Sequence, residues 1–500
     1  MKIAVQSRWL AIAAFLLLAA RPLCAHVGSP DVYYEGDAGP YHLFVTVRTP
    51  PVIPGVAEVR VRAVSGGVHA IRIVPLRLTG PGSNLPPTPD LAEASKDDPQ
   101  FFTGNLWLME EGALQVRILA DGPQGNGELS VPVASFAQRT LPMAKPLAGL
   151  LFGLLLLLTV GVISIIGAGA REASLEPGGT PGPTNLRRAR IAMAVTIVLV
   201  LALLYLGRTW WGIEAASYQR RVNFYKPPKA ETTLESGNRL VIRAQGNDPR
   251  WSARINMERV IPDHNHLMHL FLISLPGMDD MWHLHPAKAE GGAFVDDLPS
   301  MPAGKYQIFA DVVDERGFPW TLTGIAELPP ISGKPMMGDD SSWSGEPLAA
   351  AQAHSTVSQL PDGTRIVWDR ANGPLKSNVA MDFKFSVQDK DGKPVEDMEP
   401  YMGMAGHAEF VRSDFSVFAH VHPSGSVAMA SLELAQASLL GDASSMPAGM
   451  VMAGNTGVSG PLPPALSFPY GFPQPGDYRI FVQVKRSERV ETGVFDAHVD

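Results

Sequence analysis

Two long runs of apolar residues in the middle of the chain dominate its hydrophobic pattern. The first run covers residues 146–170 and the second covers residues 191–207. A helix needs about 20 residues, most of them apolar, to cross the hydrocarbon core of a bilayer. Both runs therefore predict transmembrane helices. Neither run contains an acidic, basic or histidine residue. Because membrane paths for ions or protons are built from such residues, we expect anchors rather than a transport pathway.

The first 25 residues have the pattern of a secretory signal peptide. Lys2 and Arg8 stand before or at the start of a short apolar run, Trp9–Ala20, and residues 23–25 fit a cleavage site. An uncleaved N-terminal anchor is the alternative. Cys24 is the only cysteine, so a chain cut after residue 25 would have neither disulfide bonds nor thiolate metal ligands.

The segment between the two apolar runs, residues 171–190, is rich in Pro, Gly and Arg. Short loops with an excess of arginine remain in the cytoplasm. This rule and the signal peptide independently place residues 26–145 and 208–500 on the outer side. We therefore predict a multi-pass protein of the bacterial inner membrane, with both large blocks on the periplasmic side and the lipid bilayer as a partner.

Alternating apolar and polar residues on both sides of the spans predict β-strands. In the block 26–145 the clearest stretches are residues 41–48, 57–63, 69–75 and 114–120. About 100 residues with this pattern are typical of an immunoglobulin-like β-sandwich. After the second span, a stretch rich in Gly, Ser and Asp at residues 336–353 separates two further β-rich segments.

These two segments are copies of one another. Each has a histidine that opens a strand, then a turn, then a His-x-His-Pro sequence, and later a strand that follows Gly-x-Tyr. In copy 1 these are His269, His283-Leu-His285-Pro286 and Gly304-Lys-Tyr306, and in copy 2 they are His407, His420-Val-His422-Pro423 and Gly476-Asp-Tyr478. A match in the same order at similar spacing indicates an internal duplication.

Copy 1 covers residues 229–333 and copy 2 covers residues 354–500. Residues 432–468 form an insertion in copy 2, rich in small residues, that we expect to be a loop or lid. The sequence as a whole predicts a mainly β protein with three immunoglobulin-like β-sandwich modules, two transmembrane α-helices and an N-terminal signal peptide.

Histidine is concentrated in the two copied hairpins. A hairpin brings the start of its first strand beside the end of its second, and residues two apart on a strand share a face. Each hairpin should therefore gather its histidines at one point. The candidates are His264, His266, His269, His283 and His285 in copy 1, and His407, His420 and His422 in copy 2.

Methionine replaces histidine at two positions when the copies are aligned on His269 and His407. His264 then falls on Met402, and His266 falls on Met404. Copper accepts both imidazole and thioether ligands, and thioether favours Cu(I). Zinc would accept the histidines but gains little from methionine. The alternative is structural, since buried histidines also bond to backbone carbonyls and methionine often fills gaps in a core.

Charge and motifs exclude several functional classes. The net charge of −8 and the absence of a Lys/Arg cluster argue against a nucleic-acid partner. The chain has no Gly-x-Ser-x-Gly elbow, no His-Glu-x-x-His motif and no cysteine nucleophile. We do not predict an enzyme, although the histidines leave a metal-dependent oxidase open.

The His-rich hairpin followed by Pro302-Ala-Gly304-Lys-Tyr306 resembles the YtkA-like group of exported bacterial domains. It more loosely resembles CopC-like periplasmic copper-resistance β-sandwiches, and that resemblance implies metal binding through His and Met. We expect a membrane-anchored envelope protein that binds copper, as Cu(I) or Cu(II), or else zinc, for sequestration, sensing or delivery. The alternative is a structural protein without metal, whose sandwiches bind another protein of the envelope.

Overall fold

The computed structural model describes residues 30–348, 355–370, 373–439 and 462–500. The predicted signal peptide and most of the predicted insertion lie outside these residues. The chain is mainly β, with 43% strand and 21% helix. It divides into a helical unit, residues 137–225, and a β-rich unit that contains the other described residues.

The helical unit consists of α1 (Lys145–Glu172) and α2 (Pro183–Phe224), which are both long and apolar enough to cross a membrane. Their contact is close at Gly167, where an added Cβ would lie 2.7 Å from Cγ of Met193. The loop predicted over 171–190 is shorter than expected, because α2 already begins at Pro183, a favoured residue in the first helical turn. The helix that contains the predicted span 191–207 continues to Phe224, beyond the end of the apolar run.

The N-terminal part of the β-rich unit forms an eight-stranded antiparallel sheet in the order β1-β2-β3-β6-β5-β4-β7-β8. Alternation explains these strands: in β3, Ala57, Val59 and Val61 are buried between more exposed charged residues. The four predicted stretches fall on β2, β3, β4 and β7. The strands are β1 (Val32–Ala38), β2 (Tyr41–Arg48), β3 (Gly55–Ala63), β4 (Ala70–Arg77), β5 (Asp90–Ala94), β6 (Phe101–Leu108), β7 (Gly112–Gly122) and β8 (Gly125–Ser135).

Copy 1 forms a nine-stranded sheet in the order β13-β14-β10-β9-β16-β15-β11-β12-β17. A short helix α3 (Trp251–Arg254) follows β10. The strands are β9 (Lys229–Glu235), β10 (Arg239–Gln245), β11 (His269–Ser274), β12 (Asp280–Leu284), β13 (Ala287–Lys288), β14 (Phe294–Asp297), β15 (Gly304–Val313), β16 (Pro319–Leu328) and β17 (Ser341–Ser344).

The last of these strands changes the predicted boundary of copy 1. Residues 336–353 were expected to separate the copies, but β17 pairs antiparallel with β12, placing Ser341 opposite His283. Copy 1 therefore extends past residue 333, because β17 forms the edge of its sheet beside β12.

Copy 2 forms a four-stranded sheet, β18-β19-β20-β24, and a second sheet, β21-β25-β22-β23, in which β26 also pairs with β25. Both ends of the predicted insertion 432–468 are regular structure, since α4 (Met429–Leu439) crosses its start and β24 its end. The strands are β18 (Val357–Gln359), β19 (Arg365–Asp369), β20 (Met381–Gln388), β21 (Met398–Glu399), β22 (His407–Arg412), β23 (Phe418–Val421), β24 (Ala465–Tyr470), β25 (Gly476–Arg486) and β26 (Arg489–Val499).

The two copies share an apolar core. Phe271 and Phe309 of copy 1 and Phe418 of copy 2 belong to one buried cluster. The ring of Phe418 stacks on Phe309 with centroids 4.3 Å apart and an interplanar angle of 11°. Strand β11 contributes Phe271 and Ile273 to this cluster and β22 contributes Val411. The two strands begin with His269 and His407. Packing of the copies therefore brings their histidines together at one end of the shared core.

Candidate metal site between the two copies

The eight histidines singled out in the sequence form one cluster at this end of the shared core. Each ring centroid lies between 3.8 and 5.1 Å from that of the nearest neighbouring histidine. Two sets of three histidines each bring one ring nitrogen per residue within 4.8 Å of the others. We call them group 1, which contains His269, His283 and His285, and group 2, which contains His264, His407 and His422.

Group 1 has the composition expected from the hairpin of copy 1. Nδ1 of His269 lies 3.3 Å from Nε2 of His283. The other nitrogen of each ring faces a carbonyl oxygen: His269 Nε2 donates to the backbone of Asp263 at 3.1 Å, and His283 Nδ1 donates to the side-chain amide of Gln483 at 2.8 Å. A neutral imidazole has a single N–H. The two nitrogens that face each other therefore both carry lone pairs.

Group 2 differs from the sequence interpretation, which gathered His407, His420 and His422 within copy 2. In the structure His264 of copy 1 joins His407 and His422. Nε2 of His264 lies 3.0 Å from Nε2 of His422. Because Nδ1 of His422 donates to the Val427 carbonyl at 3.0 Å, its Nε2 carries a lone pair. The hairpin argument treated each copy alone and could not anticipate a ligand set drawn from both.

Two equivalent tight turns explain why His264 reaches copy 2. In copy 1, Asp263 and His266 exchange both backbone hydrogen bonds, with positive φ at His264 (52°) and Asn265 (69°). In copy 2, Tyr401 and Met404 do the same, with φ of 50° at Met402 and 81° at Gly403. Positive φ at both central residues is typical of a type I′ turn. The shared geometry supports the alignment of His264 with Met402.

The remaining predicted ligands lie beside the two groups. The His266 ring stacks on His285 with centroids 3.8 Å apart. His420 lies between the groups, 5.3 Å from both His269 and His407 by ring centroids. Met402 is buried and Met404 is half-buried in the turn of copy 2. Their role as thioether ligands stays a prediction.

Two strand residues that the sequence interpretation missed support histidines of the opposite copy. Asp311 on β15 pairs with His269, and Gln483 occupies the equivalent position opposite His407 on β25. Gln483 bonds to His283 of copy 1, whereas Asp311 lies 3.7 Å from Nδ1 of His420 in copy 2. The two copies therefore exchange supporting residues. Extending the repeat alignment two residues past Phe309 and Phe481 identifies this pair.

Two further supporting residues, Asp339 and Asp340, come from the stretch that was expected to be a boundary. The Asp340 carboxylate lies 2.9 Å from Nδ1 of His285, so it orients that ring and leaves Nε2 as the lone-pair nitrogen. Asp339 lies 3.2 Å from Nε2 of His266 and also binds Lys485. The His266 ring and the Lys485 ammonium hold the pKa of the Asp339 carboxyl well below its usual value.

Burial keeps five of the clustered imidazoles neutral. Loss of solvation is the largest cause that lowers the pKa of His264 and His422 to about 3, and it places the pKa of His269, His407 and His420 well below the ordinary value. Neutral imidazole is the form that binds a metal ion. At pH 7 these five imidazoles therefore present lone pairs rather than positive charge.

Several buried nitrogens of the cluster have no hydrogen-bond partner among the described residues. They are both ring nitrogens of His407, Nε2 of His285 and Nε2 of His420. An unpaired buried polar group costs roughly 1–3 kcal/mol. Glu409, two residues after His407 on β22, is also buried with both carboxyl oxygens unpaired within the described ranges. Burial raises the pKa of this carboxyl well above its usual value.

The helix α4 connects the cluster to the N-terminal sheet. In the first turn of α4, the Ala430 N–H donates a hydrogen bond to the Asp263 carboxylate at 2.7 Å. Near the other end, the Ser438 hydroxyl accepts one from the Gln115 side chain at 3.1 Å. The loop before α4 pairs with β1, since the Glu35 N–H donates to the Ser424 carbonyl. The N-terminal sheet therefore braces the segment that follows His422.

Comparison with known proteins gives one family match. A family described as "Domain of unknown function (DUF8832)" matches residues 356–500, which correspond to copy 2. No curated protein matches the chain. The resemblance to YtkA-like and CopC-like domains therefore stays a prediction.

Some solved structures align with this chain at low similarity. Latent PorU from Porphyromonas gingivalis aligns at 8% identity and a TM-score of 0.12 over 91% of this chain and 32% of its own. A putative membrane anchored protein from Corynebacterium diphtheriae aligns at 8% identity and a TM-score of 0.14 over 94% of both chains. E. coli alpha-2-macroglobulin aligns at 8% identity and a TM-score of 0.18 over 95% of this chain and 23% of its own. TM-scores this low do not establish a shared fold.

Proposed function

We propose that this protein binds a transition metal, with copper as the preferred ion, at the histidine cluster between its two C-terminal copies. The observation that carries the proposal is the pair of lone pairs in group 1. Nδ1 of His269 and Nε2 of His283 face each other at 3.3 Å, while their other nitrogens donate to carbonyl oxygens. Two lone pairs at this distance repel one another unless a cation lies between them.

The spacing supports a metal rather than packing alone. Nitrogen ligands about 2.0 Å from a metal in tetrahedral geometry are about 3.3 Å apart, which is the separation of His269 Nδ1 and His283 Nε2. The third member, His285, has its other nitrogen held by Asp340 and its Nε2 without a partner among described residues. A ligand oriented in this way by a carboxylate is the usual arrangement in protein metal sites.

Copper is the metal that the ligand set favours. Divalent copper binds nitrogen ligands more tightly than the other divalent metals of its row. Met402 and Met404 occupy the turn equivalent to that of His264 and His266 in copy 1, and thioether ligands would favour Cu(I). Zinc fits three histidines equally well, so both metals belong in the test.

The setting we propose is the bacterial envelope. The signal peptide, the Arg-rich connector and the two helices that can span a membrane support a protein anchored in the inner membrane, with its three β-sandwich modules in the periplasm. A tethered copper-binding protein there would serve in sequestration, sensing or delivery. The ligand set of this site does not indicate a particular reaction.

The test is metal titration of the full-length protein in detergent. After removal of bound metal, Cu(I), Cu(II) and Zn(II) are titrated against competing chelators. We expect tight binding of copper by the natural protein and loss of the group 1 site in a His283→Gln, His285→Gln variant. His498→Ala is the matched control, because His498 is a half-exposed histidine of copy 2 outside the cluster. Equal and weak binding by all three proteins would overturn the proposal.

The alternative is a structural role in which the sandwiches bind another envelope protein without metal. Its support is that His422 and His269 each bond to a backbone carbonyl, as packed histidines do. That role predicts no metal binding in the titration. It also predicts that the histidine variants lose stability to the same extent with and without copper.

A further inference from the structure

We infer that the two groups of histidines hold two metal ions as a single coupled pair, in one dinuclear centre shared by both copies. This inference rests on the proposed function, because it concerns the same histidines. It goes further in stating the number of ions, their proximity and the contribution of each copy.

The two groups are in direct contact. The rings of His264 in group 2 and His269 in group 1 meet edge to face, with centroids 5.9 Å apart. They are also joined through the backbone, because His269 Nε2 donates to the carbonyl of Asp263, the residue that precedes His264. A change in the position of one ring therefore acts on the other group through a single hydrogen bond.

His420 connects the groups from the other side. Its ring lies 5.3 Å from His269 and 5.8 Å from His283 of group 1, and 5.3 Å from His407 and 4.7 Å from His422 of group 2. Its Nε2 is buried with no hydrogen-bond partner among the residues that the structure describes. This nitrogen is available as a fourth ligand at the boundary between the two ions. Each ion lies about 2 Å from the nitrogens that bind it. The two ions would therefore be separated by a single layer of imidazole rings.

The cluster also contains the carboxyl groups that two buried cations require. Buried ions are stable in proteins when opposite charges compensate them. Asp263 precedes His264, Asp311 lies 3.7 Å from His420, and Glu409 follows His407 by two residues on the same strand. Asp263 and Glu409 are buried, and Glu409 has no partner within the described ranges.

Copper content and electron paramagnetic resonance of the full-length protein, loaded with Cu(II) in detergent, test the inference. We expect two copper ions per chain, with a spin signal that integrates to clearly less than the copper content because neighbouring cupric ions couple. His264→Asn should bind one copper ion with an uncoupled signal of equal intensity. Asparagine is the chosen replacement because it tolerates the positive φ of this position. His498→Ala should behave like the natural protein.

Three outcomes separate the hypotheses. One copper ion per chain in the natural protein, or two ions with full uncoupled signals, would overturn the coupled pair and leave the proposed function standing. No copper binding in any protein would overturn the proposed function itself. If His264→Asn fails to fold by circular dichroism, His407→Gln provides the same test, because it also removes a ligand of group 2 alone.

Discussion

Gln483 of copy 2 accepts a hydrogen bond from His283 of copy 1 at 2.8 Å. The Tyr401 hydroxyl lies 3.2 Å from the same Nδ1. The two acceptors place the proton of His283 on Nδ1, so that its Nε2 lone pair faces His269, 3.3 Å away. A residue that never touches the metal would therefore determine whether His283 can bind it. Residues that orient a ligand in this way usually change metal affinity when they are replaced.

Gln483→Leu should lower copper affinity by about 10- to 100-fold, because His283 would lose the nearer of the two oxygens that hold its proton on Nδ1. Gln483→Glu keeps an acceptor oxygen and should retain most of the affinity. Competition with a chelator of known affinity measures both. Gln307→Leu is the control, since Gln307 lies on the equivalent strand of copy 1. Equal affinities in all these variants would show that the contact does not orient a ligand.

Much of the fold and the identity of the clustered histidines could be predicted from the sequence. Alternation predicted β2, β3, β4 and β7, and the apolar runs predicted α1 and α2. Local patterns could not predict how the copies pack against each other. His264 joins His407 and His422 only because the two sheets meet face to face. The same packing accounts for the exchange of Asp311 and Gln483, which depends on contacts between distant parts of the chain.

The predicted boundary between the two copies was wrong for a related reason. Residues 336–353 have the composition of a linker, yet Ser341 pairs with His283 and Asp340 binds His285. A polar edge strand and a linker have similar composition, so only the presence of a pairing partner distinguishes them. The predicted second span lies within α2, but the apolar pattern stops at Gly207, whereas the helix continues to Phe224.

The metal-free protein should lose stability as the pH falls below about 6.5. The folded-state pKa of His264 and His422 is about 3, against 6.5 for the free side chain. Between these values the unfolded state binds more protons, so acid favours unfolding by about 1.4 kcal/mol per pH unit for each such histidine. Denaturant unfolding from pH 7 to pH 4 in the presence of a chelator measures the slope. His422→Gln should give a shallower slope, and an unchanged slope would contradict the pKa assignment.

Glu409→Gln should make the metal-free protein more resistant to alkaline pH. Burial raises the folded-state pKa of the Glu409 carboxyl far above 4.5. Its contribution to stability is therefore complete below pH 4.5 and is lost as the pH rises towards the folded-state value. Glutamine has no proton to lose, so the unfolding free energy of the variant should decline less between pH 5 and pH 9. The same variant should bind copper more weakly, because the compensating charge is removed. A pH profile identical to that of the natural protein would show that Glu409 is not the titrating group.

Gly425→Ala should destabilise the protein by more than about 1 kcal/mol and weaken copper binding. Gly425 has a φ of +127°, and an added Cβ would lie 2.0 Å from the Tyr33 carbonyl oxygen of β1. Its backbone also exchanges hydrogen bonds with His422, so a displaced Gly425 moves a ligand of group 2. Gly66→Ala is the control, because Gly66 has positive φ but open space around its Cβ position. Thermal unfolding with and without copper distinguishes the two, and equal losses would assign the effect to φ alone.

X-ray absorption at the copper edge of the loaded full-length protein tests the central claim most directly. The account predicts a first shell of nitrogen ligands at about 2.0 Å, with the outer-shell scattering that marks several imidazole rings per copper. His283→Gln with His285→Gln should reduce the imidazole contribution. A first shell of oxygen without imidazole scattering in the natural protein would contradict the claim that this cluster is a metal site.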